Sequence, residues 1–331
     1  DTGYHGIRSK RSPVRDRAGK ERGRERGREP DPMPTSDAKP AAAAPLPPDL
    51  TERVLARLGF TTRPAADRAG LAALYAAWCS RIPFDNVRKL IALRAGDPGR
   101  LPGDEPRDFL EAWLVDGAGG TCWAMHGAWT ELLVACGFRA RRGLATMLVA
   151  PDIPPNHATT SVALDGRTLL VDACIQHGEP LVLDPRSETA IAHPAYGVQA
   201  RPDGARSIVR WRSPFAPGGM DCRIESLESD AATYRAYHEG TRGWSPFNFS
   251  LFVRAPRRGG VVLAVRGERI EIDASGGESR APLGGEERVR FLVDEVGLAE
   301  SLARRLPEDV PTPPPPGSET ARRADMGAAR S

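Results

Sequence analysis

Cys122, His157 and Asp172 are the residues of this 331-residue chain whose types and spacing could together do chemistry. Cys122 follows Gly119, Gly120 and Thr121. Behind it, Trp129, Leu132, Leu133 and Cys136 recur at the three- and four-residue spacing of one buried helix face. The cysteine is therefore read in the first turn of a helix. The two glycines take backbone angles closed to other residues, Thr121 serves as N-cap, and Gly137 closes the helix. The positive end of a helix favours a thiolate over a thiol, which primes a cysteine for nucleophilic work. The competing reading is a small buried structural residue.

Downstream, Ala158 to Leu164, Asp165-Gly166 and Arg167 to Ala173 read as a β-hairpin, since Asp-Gly is a strong two-residue turn signal. That turn pairs Leu164 with Arg167 and sets Asp172 opposite Thr159. His157, two residues from Thr159 on the same face, becomes a diagonal neighbour of Asp172. An imidazole beside a carboxylate, with a primed thiol elsewhere, outlines thiol acyl transfer. The base takes the thiol proton, the carboxylate fixes the imidazole tautomer, and the sulfur holds the acyl group as a thioester. Backbone amides near Cys122 would supply an oxyanion hole.

The elements that must position these residues change character along the chain. Residues 1–47 read as a disordered tail, with the low-complexity run Arg22 to Glu29 and a linker from Pro40 to Pro48. Met33 is read as the natural start. Helical patterns then run from Asp49 or Thr51 to Gly59, from Ala66 to Ser80, onward from Asp85 or Asn86, and from Phe109 to Val115. Beyond Gly137 the pattern alternates. Strands are expected at Arg139 to Val149, in the hairpin, and at Leu181–Leu183, Ser207–Trp211 and Asp221–Glu225, suggesting a small barrel or sheet. Leu227 to Tyr237 reads as a helix. Phe249 to Val253, Gly260 to Arg266 and Arg269 to Asp273 form a meander turning at Gly267-Glu268. Glu286 to Arg305 is a terminal helix or helix pair, and Pro307 onward is a proline-rich disordered tail.

Composition narrows the function. The net charge of +3 conceals a basic tail: residues 1–40 carry eleven Lys/Arg against seven Asp/Glu, leaving the remainder near −1. That argues against nucleic-acid binding by the folded part. Five cysteines without a C-x-x-C pair suggest neither a disulfide framework nor a zinc ribbon, and point to a reducing cytoplasm. There is no apolar run of about 18 residues and no secretory signal core.

Three blocks of the sequence resemble the arylamine N-acetyltransferase family. Ile82-Pro-Phe-Asp-Asn86 is similar to its I-P-F-E-N segment. Gly119-Gly-Thr-Cys122 resembles its R-G-G-x-C nucleophile turn, with a similar helix ending Cys136-Gly-Phe138. His157 and Leu169-Leu-Val-Asp172 match its base and its L-V-D carboxylate. Trp244-Ser-Pro-Phe-Asn-Phe249 is similar to its S-P-x-S-x-F region.

The resemblance implies an α+β fold with a cysteine-protease-like core. Its parts would be an N-terminal helical domain (48–138), a central antiparallel β-barrel (139–226) and a C-terminal α/β lid (227–306), followed by a tail (307–331). It further implies Cys122 as nucleophile, His157 as base and Asp172 as orienter. Acetyl-CoA would be the acyl donor, bound near Ser245 and Pro246, and an aromatic amine or hydrazine the acceptor. Departures are Ala118 for the family's Arg, Ala124 for its Glu, and Ala173-Cys-Ile-Gln-His177 in place of V-G-F-G.

Two neighbouring activities share the same ingredients. One is an amide synthase releasing a polyketide-type chain. The other is a transglutaminase-like thiol enzyme, which resembles this chain in its Cys, His, Asp order. A non-catalytic binding protein on the same fold is the third reading. No metal set is expected: His126, four residues after Cys122, lacks further ligands and reads as packing or pocket lining. His177 and His193 are expected in solvated loops, Cys174 on a strand face with Asp172, and Trp123, Trp129, Cys79, Cys136 and Cys222 in the core. Whether the chain is a monomer or a homodimer is left open.

Overall fold

Pro47, which cannot continue a preceding helix, ends an extended entry and lets the first helix begin at Pro48. The computed structural model of the chain describes residues 45–149, 153–257, 259–316 and 318. The expected N-terminal tail up to residue 44, including Met33 and the arginine run, lies outside the described residues, as do residues 319–331. The described residues fall in one compact unit.

Five helices come first: α1 (Pro48–Arg57), α2 (Arg68–Arg81), α3 (Val87–Arg94), α4 (Pro106–Asp116) and α5 (Cys122–Ala135). A two-residue strand, β1 (Phe84–Asp85), lies between α2 and α3. Strands β2 (Ala140–Met147), β3 (His157–Leu164), β4 (Arg167–Leu170), β5 (Leu181–Val182), β6 (Thr189–Ile191), β7 (Val198–Asp203), β8 (Arg206–Ser213) and β9 (Ala216–Ser229) follow. After α6 (Ala231–Gly240) and a 3-10 turn at Pro246–Asn248 come β10 (Phe252–Arg257), β11 (Gly260–Val265), β12 (Glu268–Ile272) and β13 (Glu278–Pro282). The described chain closes with α7 (Gly285–Arg290), a π-helical turn at Phe291–Val296 and α8 (Glu300–Ala303).

The strands form two antiparallel sheets. The larger has the order β5-β4-β3-β2-β9-β8-β7-β6. It curls until Thr189 of β6 donates its hydroxyl to the Val182 carbonyl of β5 at 2.5 Å, so the barrel nearly closes. The smaller has the order β1-β10-β11-β12-β13. Its edge strand β13 is exposed at every position and carries Glu278 and Arg280. This is an α+β architecture of the cysteine-protease-like kind.

Three apolar cores hold these layers. Trp78, Trp129, Tyr75, Phe109 and Leu132 centre the helical one, which reaches His157's strand through Ala158 and Val162. Val209, Cys222 and Ile224 fill the barrel. Val253, Val262, Phe291 and Leu292 seal the small sheet against the C-terminal helices. Buried aromatic area dominates such cores, because each ring removes about 150–250 Å² from water. Among the described residues no helix is long and apolar enough to cross a membrane.

Several expectations shift. Thr121 precedes α5, but its hydroxyl makes no capping bond. Gly119 and Gly120 do not have positive φ. Gly119 is required by close approach instead, since a Cβ there would sit 1.8 Å from the Pro83 carbonyl oxygen. The meander turns at Arg266-Gly267, with φ of 52° and 77°, and Glu268 pairs with Val265. Strand β9 runs to Ser229, so α6 starts four residues later than expected, where Asp230 caps it through the Thr233 amide at 2.6 Å. The expected tail is not loose at its start. Val310 donates to the Phe249 carbonyl at 2.9 Å, Asp309 accepts the Leu251 amide at 2.9 Å, and the Trp244 indole donates to the Pro313 carbonyl at 3.3 Å. Backbone groups left unpaired at the start of β10 provide the anchor. At the other end Leu46, assigned to the N-terminal tail, is buried in the helical core.

Candidate active site

Cys122 is the first residue of α5, and the preceding turn is held by the strap around β1. Asp85 accepts the Gly119 amide at 2.6 Å and the Val87 amide at 3.0 Å. Phe84 bridges to Gly120 in parallel, and the Asp85 amide donates to the Gly120 carbonyl at 3.3 Å. Asn86 ties the strap to residues 247–252. Its Nδ2 donates to the carbonyls of Phe247 and Ser250 at 2.9 and 2.8 Å, and its Oδ1 accepts the Phe252 amide at 2.8 Å. The blocks Ile82–Asn86 and Trp244–Phe249 are thus bonded to each other.

The hairpin forms in the expected register, Leu164 opposite Arg167 and Ser161 opposite Leu170. Strand β4 stops at Leu170, because the Asp172 side chain captures the next amides itself. Its Oδ1 accepts Cys174 N–H at 2.9 Å and Ile175 N–H at 2.8 Å, a local turn that competes with the ladder. Cys174 therefore lies in a turn rather than on a strand face. The Asp172 Oδ2 faces His157 Nε2 at 2.9 Å. The Cys122 sulfur acts on the same imidazole and favours its charged form. The structure so brings Cys122, His157 and Asp172 together, 7%, 4% and 0% exposed respectively.

Electrostatics follow from this packing. Burial works against charge on His157, but the Asp172 carboxylate and the Cys122 sulfur outweigh it and push the imidazole up to about 10. Burial likewise opposes charge on Asp172, yet His157 and His126 hold the carboxyl well below its usual range. Oriented donors and nearby cations, not exposure, keep this acid ionised.

The sequence reading missed other residues. His126 and His177 are fully buried. His126 Nε2 lies 3.2 Å from Asp172 Oδ1 and its Nδ1 lies 2.8 Å from Thr160 Oγ1. His177, expected in a solvated loop, accepts the Asp172 amide at Nε2 (3.4 Å) while Nδ1 donates to the Glu179 carbonyl (2.7 Å); burial pushes it down to about 4. The Tyr75 hydroxyl donates to the Asp172 carbonyl at 2.6 Å. The bonds of His126 and Tyr75 to Asp172 join residues 46 and 97 positions apart, so no local pattern marks them. Cys79, Cys136 and Cys222 are buried, all five cysteines are free, and Trp123 and Trp129 are core residues.

His126, Asp172 and Cys174 place possible ligand atoms within 4.8 Å of one another. The carboxylate oxygen there already accepts two amides and faces an imidazole, so its lone pairs are committed. Ala118 is fully buried against the C-terminal helices, and Ala124 sits against Gly103; neither site has room for a charged side chain. Ser245 is buried and accepts the Phe247 amide at 3.3 Å, capping the turn that starts at Pro246. Phe247, the residue after Pro246, meets Phe84 edge-on, 5.2 Å between ring centroids. Lys89 is a buried ammonium whose Nζ donates to Thr241 Oγ1 at 2.8 Å. Burial pulls it down to about 8, and the nearby Cys122 sulfur partly restores it.

Solved structures share this fold. The chain shares the fold of arylamine N-acetyltransferases. That of Mycobacterium abscessus matches with a TM-score of 0.65 at 18% identity, over 78% of this chain and 95% of the other. That of Salmonella typhimurium matches with 0.64 at 18% identity, over 85% and 98%. The Mycobacterium marinum arylamine N-acetyltransferase in complex with CoA matches with 0.63 at 18% identity, over 76% and 96%. No protein-family profile and no curated protein matches the sequence.

Proposed function

We propose that this protein is an arylamine N-acetyltransferase-like enzyme that passes an acetyl group from acetyl-CoA, through a Cys122 thioester, to an aromatic amine or hydrazine. The observation that carries this reading is the His157 imidazole bonded to the Asp172 carboxylate at 2.9 Å, with the Cys122 sulfur near enough to favour its charge. Asp172 accepts at Nε2, which leaves Nδ1 for sulfur. With His157 already charged at neutral pH, the thiol proton rests on the imidazole and the sulfur attacks the thioester carbonyl as thiolate. The carbon–sulfur bond to CoA then breaks, and the CoA sulfur leaves with the proton from the imidazolium. The acceptor nitrogen attacks the acetyl-enzyme and gives its proton to His157, and the bond to sulfur breaks as the amide departs, which restores the thiolate beside the charged imidazole.

The first amides of α5 have no intrahelical acceptor, and Thr121 leaves them uncapped, so they can face the oxyanion. Ser245 and Pro246 are assigned to the CoA side on the strength of their place just before Phe247. In this reading residues 48–138 carry the nucleophile, 139–226 the base and its carboxylate, and 227–306 the lid. The five free cysteines suit a reducing cytoplasm.

The test is intact-protein and peptide mass spectrometry after mixing with acetyl-CoA alone. One acetyl on Cys122, absent in Cys122→Ser and discharged by an aromatic amine or hydrazine, is the expected result. No adduct on a Cys122 that iodoacetamide alkylates fast would overturn the donor and turn attention to other acyl chains or a transglutaminase-like substrate. No adduct on a sluggish thiol would overturn the enzyme reading.

A further inference from the structure

The helix that carries Cys122 also carries His126, one turn further on. An α-helix rises about 1.5 Å per residue, so the two side chains leave one rigid element about 6 Å apart along its axis. The first acts on the charge of His157; the second reaches the far oxygen of the carboxylate that His157 binds.

The direction of each hydrogen bond follows from the carboxylate. Ionised Asp172 can only accept, so His126 Nε2 carries the hydrogen and donates to Oδ1 at 3.2 Å. Nδ1 must then accept, and Thr160 Oγ1 at 2.8 Å is its donor. With its hydrogen committed, the Thr160 oxygen accepts in turn from Thr130 Oγ1 at 2.9 Å. Thr130 belongs to the same helix, α5, so the chain of bonds leaves the helix, visits β3 and returns. A neutral His126 satisfies every partner. Burial favours that form, and the charge of His157 adds to it, against the pull of Asp172. The groups that face His126 are Asp172 and Cys174 from the turn after β4, His157 and Thr160 from β3, and Thr130 from its own helix.

We propose that His126 is a positioning residue for the thiol chemistry: it ties the Asp172 carboxylate to the helix that bears Cys122 and so sets the gap in which the His157 imidazole sits. This rests on the reading of Cys122 as nucleophile. Asp172 Oδ1 keeps two amides without His126, but both come from its own turn. Among the described residues only His126 links the carboxylate side chain to α5.

The test is the pH profile of iodoacetamide alkylation of Cys122, with melting temperature recorded for each variant. His126→Phe removes the donor and keeps the bulk. It should shift the profile upward by about one pH unit, roughly tenfold in rate on its lower limb. His126→Gln places an amide N–H where Nε2 was and should return the rate to within about threefold of the starting protein. Thr160→Val, which removes the donor to Nδ1, should shift the profile in the same direction as His126→Phe. A wild-type profile in His126→Phe, or an equal loss in the Gln and Phe variants with unchanged melting, overturns the proposal. Should His126→Phe not fold, a Thr160→Val profile that coincides with wild type overturns it. Alkylation needs no acyl donor. A protein that alkylates fast but takes no acetyl group therefore sinks the acetyltransferase reading and leaves the His126 assignment standing.

Discussion

Asp85 accepts the amide of Gly119 at 2.6 Å, across thirty-four residues of chain. This bond clamps the turn that aims Cys122 and puts a carboxylate in a fully buried position. Burial pushes Asp85 up to about 6, against the Gly119 and Val87 amides that favour its charge. The folded protein therefore takes up the proton near pH 6, and the unfolded chain only near pH 4. Asp85 contributes most to stability at low pH, and that contribution falls as pH rises from 4 through 6. Asp85→Asn should lose about 1–2 kcal/mol at pH 5, because one amide then faces an NH2 group. The stability gap to wild type should narrow toward pH 7.5. Urea unfolding at pH 4.5, 6 and 7.5 measures this; a gap that widens with pH contradicts it.

Asn86 makes three hydrogen bonds to backbone groups of the lid. Each bond of this kind is worth about 0.5–1.5 kcal/mol, and buried partners are left unsatisfied when it goes. Asn86→Ala is expected to cost about 2–4 kcal/mol and to expose residues 247–252 to faster amide exchange. Hydrogen exchange followed by mass spectrometry would show that protection drop locally. Unchanged protection there would mean that β1 pairing alone secures the lid.

Breaking the His157–Asp172 pair should have a pH signature. The raised His157 contributes stability that is complete below about pH 6.5 and lost as pH climbs to about 10. The depressed Asp172 contributes stability present above about pH 4 and lost on further acidification. Asp172→Asn should cost about 3–5 kcal/mol near pH 6, as for other buried pairs with one partner removed. The cost should shrink toward pH 10. Thermal melts across pH 5–10 check this, and a pH-independent cost would show that the pair is not charged in the fold.

Lys89 gives the opposite slope. Burial lowers it to about 8, so the folded protein releases this proton before the unfolded chain does. Stability from this residue rises between about pH 8 and pH 10. Lys89→Met replaces an ammonium without a carboxylate partner by an apolar chain of similar length. It should be neutral or stabilising by about 1–2 kcal/mol at pH 7. The advantage over wild type should fade by pH 10. Paired urea titrations at the two pH values decide it, and a variant destabilised at pH 7 would assign the ammonium a structural role.

How much of this was legible in the sequence depended on range. The Asp165-Gly166 turn was readable because two residues set it; φ of 50° and 71° are what a tight hairpin needs. From it the proximity of His157 and Asp172 followed by register alone. Strands β6, β7 and β13 were not readable: the first has three residues, and the last buries none of its side chains, so no alternation marks it. Of the expected C-terminal helix or helix pair the structure has the pair, parted at Gly297 with φ 91° and with its first member widened to a π turn at Phe291–Val296. His126 was read as packing or pocket lining, and it is buried, but its bond to Asp172, 46 positions away, leaves no mark on an apolar helix face; His177 was placed in a solvated loop although its ring bonds to Asp172 and Glu179 are local. His177 apart, the residues with local signatures were seen, and those whose role is to be met by another part of the chain were not.

Strand β1 is only two residues long, and its partner β10 lies about 170 positions later. On the ribosome, Cys122, His157 and Asp172 all emerge before Phe252–Arg257 exists to receive that strand. The reactive centre is thus made early and braced late, since the cysteine turn hangs from a strap that has no sheet to join until most of the chain has been synthesised. Translation order places a delay between producing the thiol and fixing its aim, and a nascent chain halted before residue 257 would carry every reactive group without this brace.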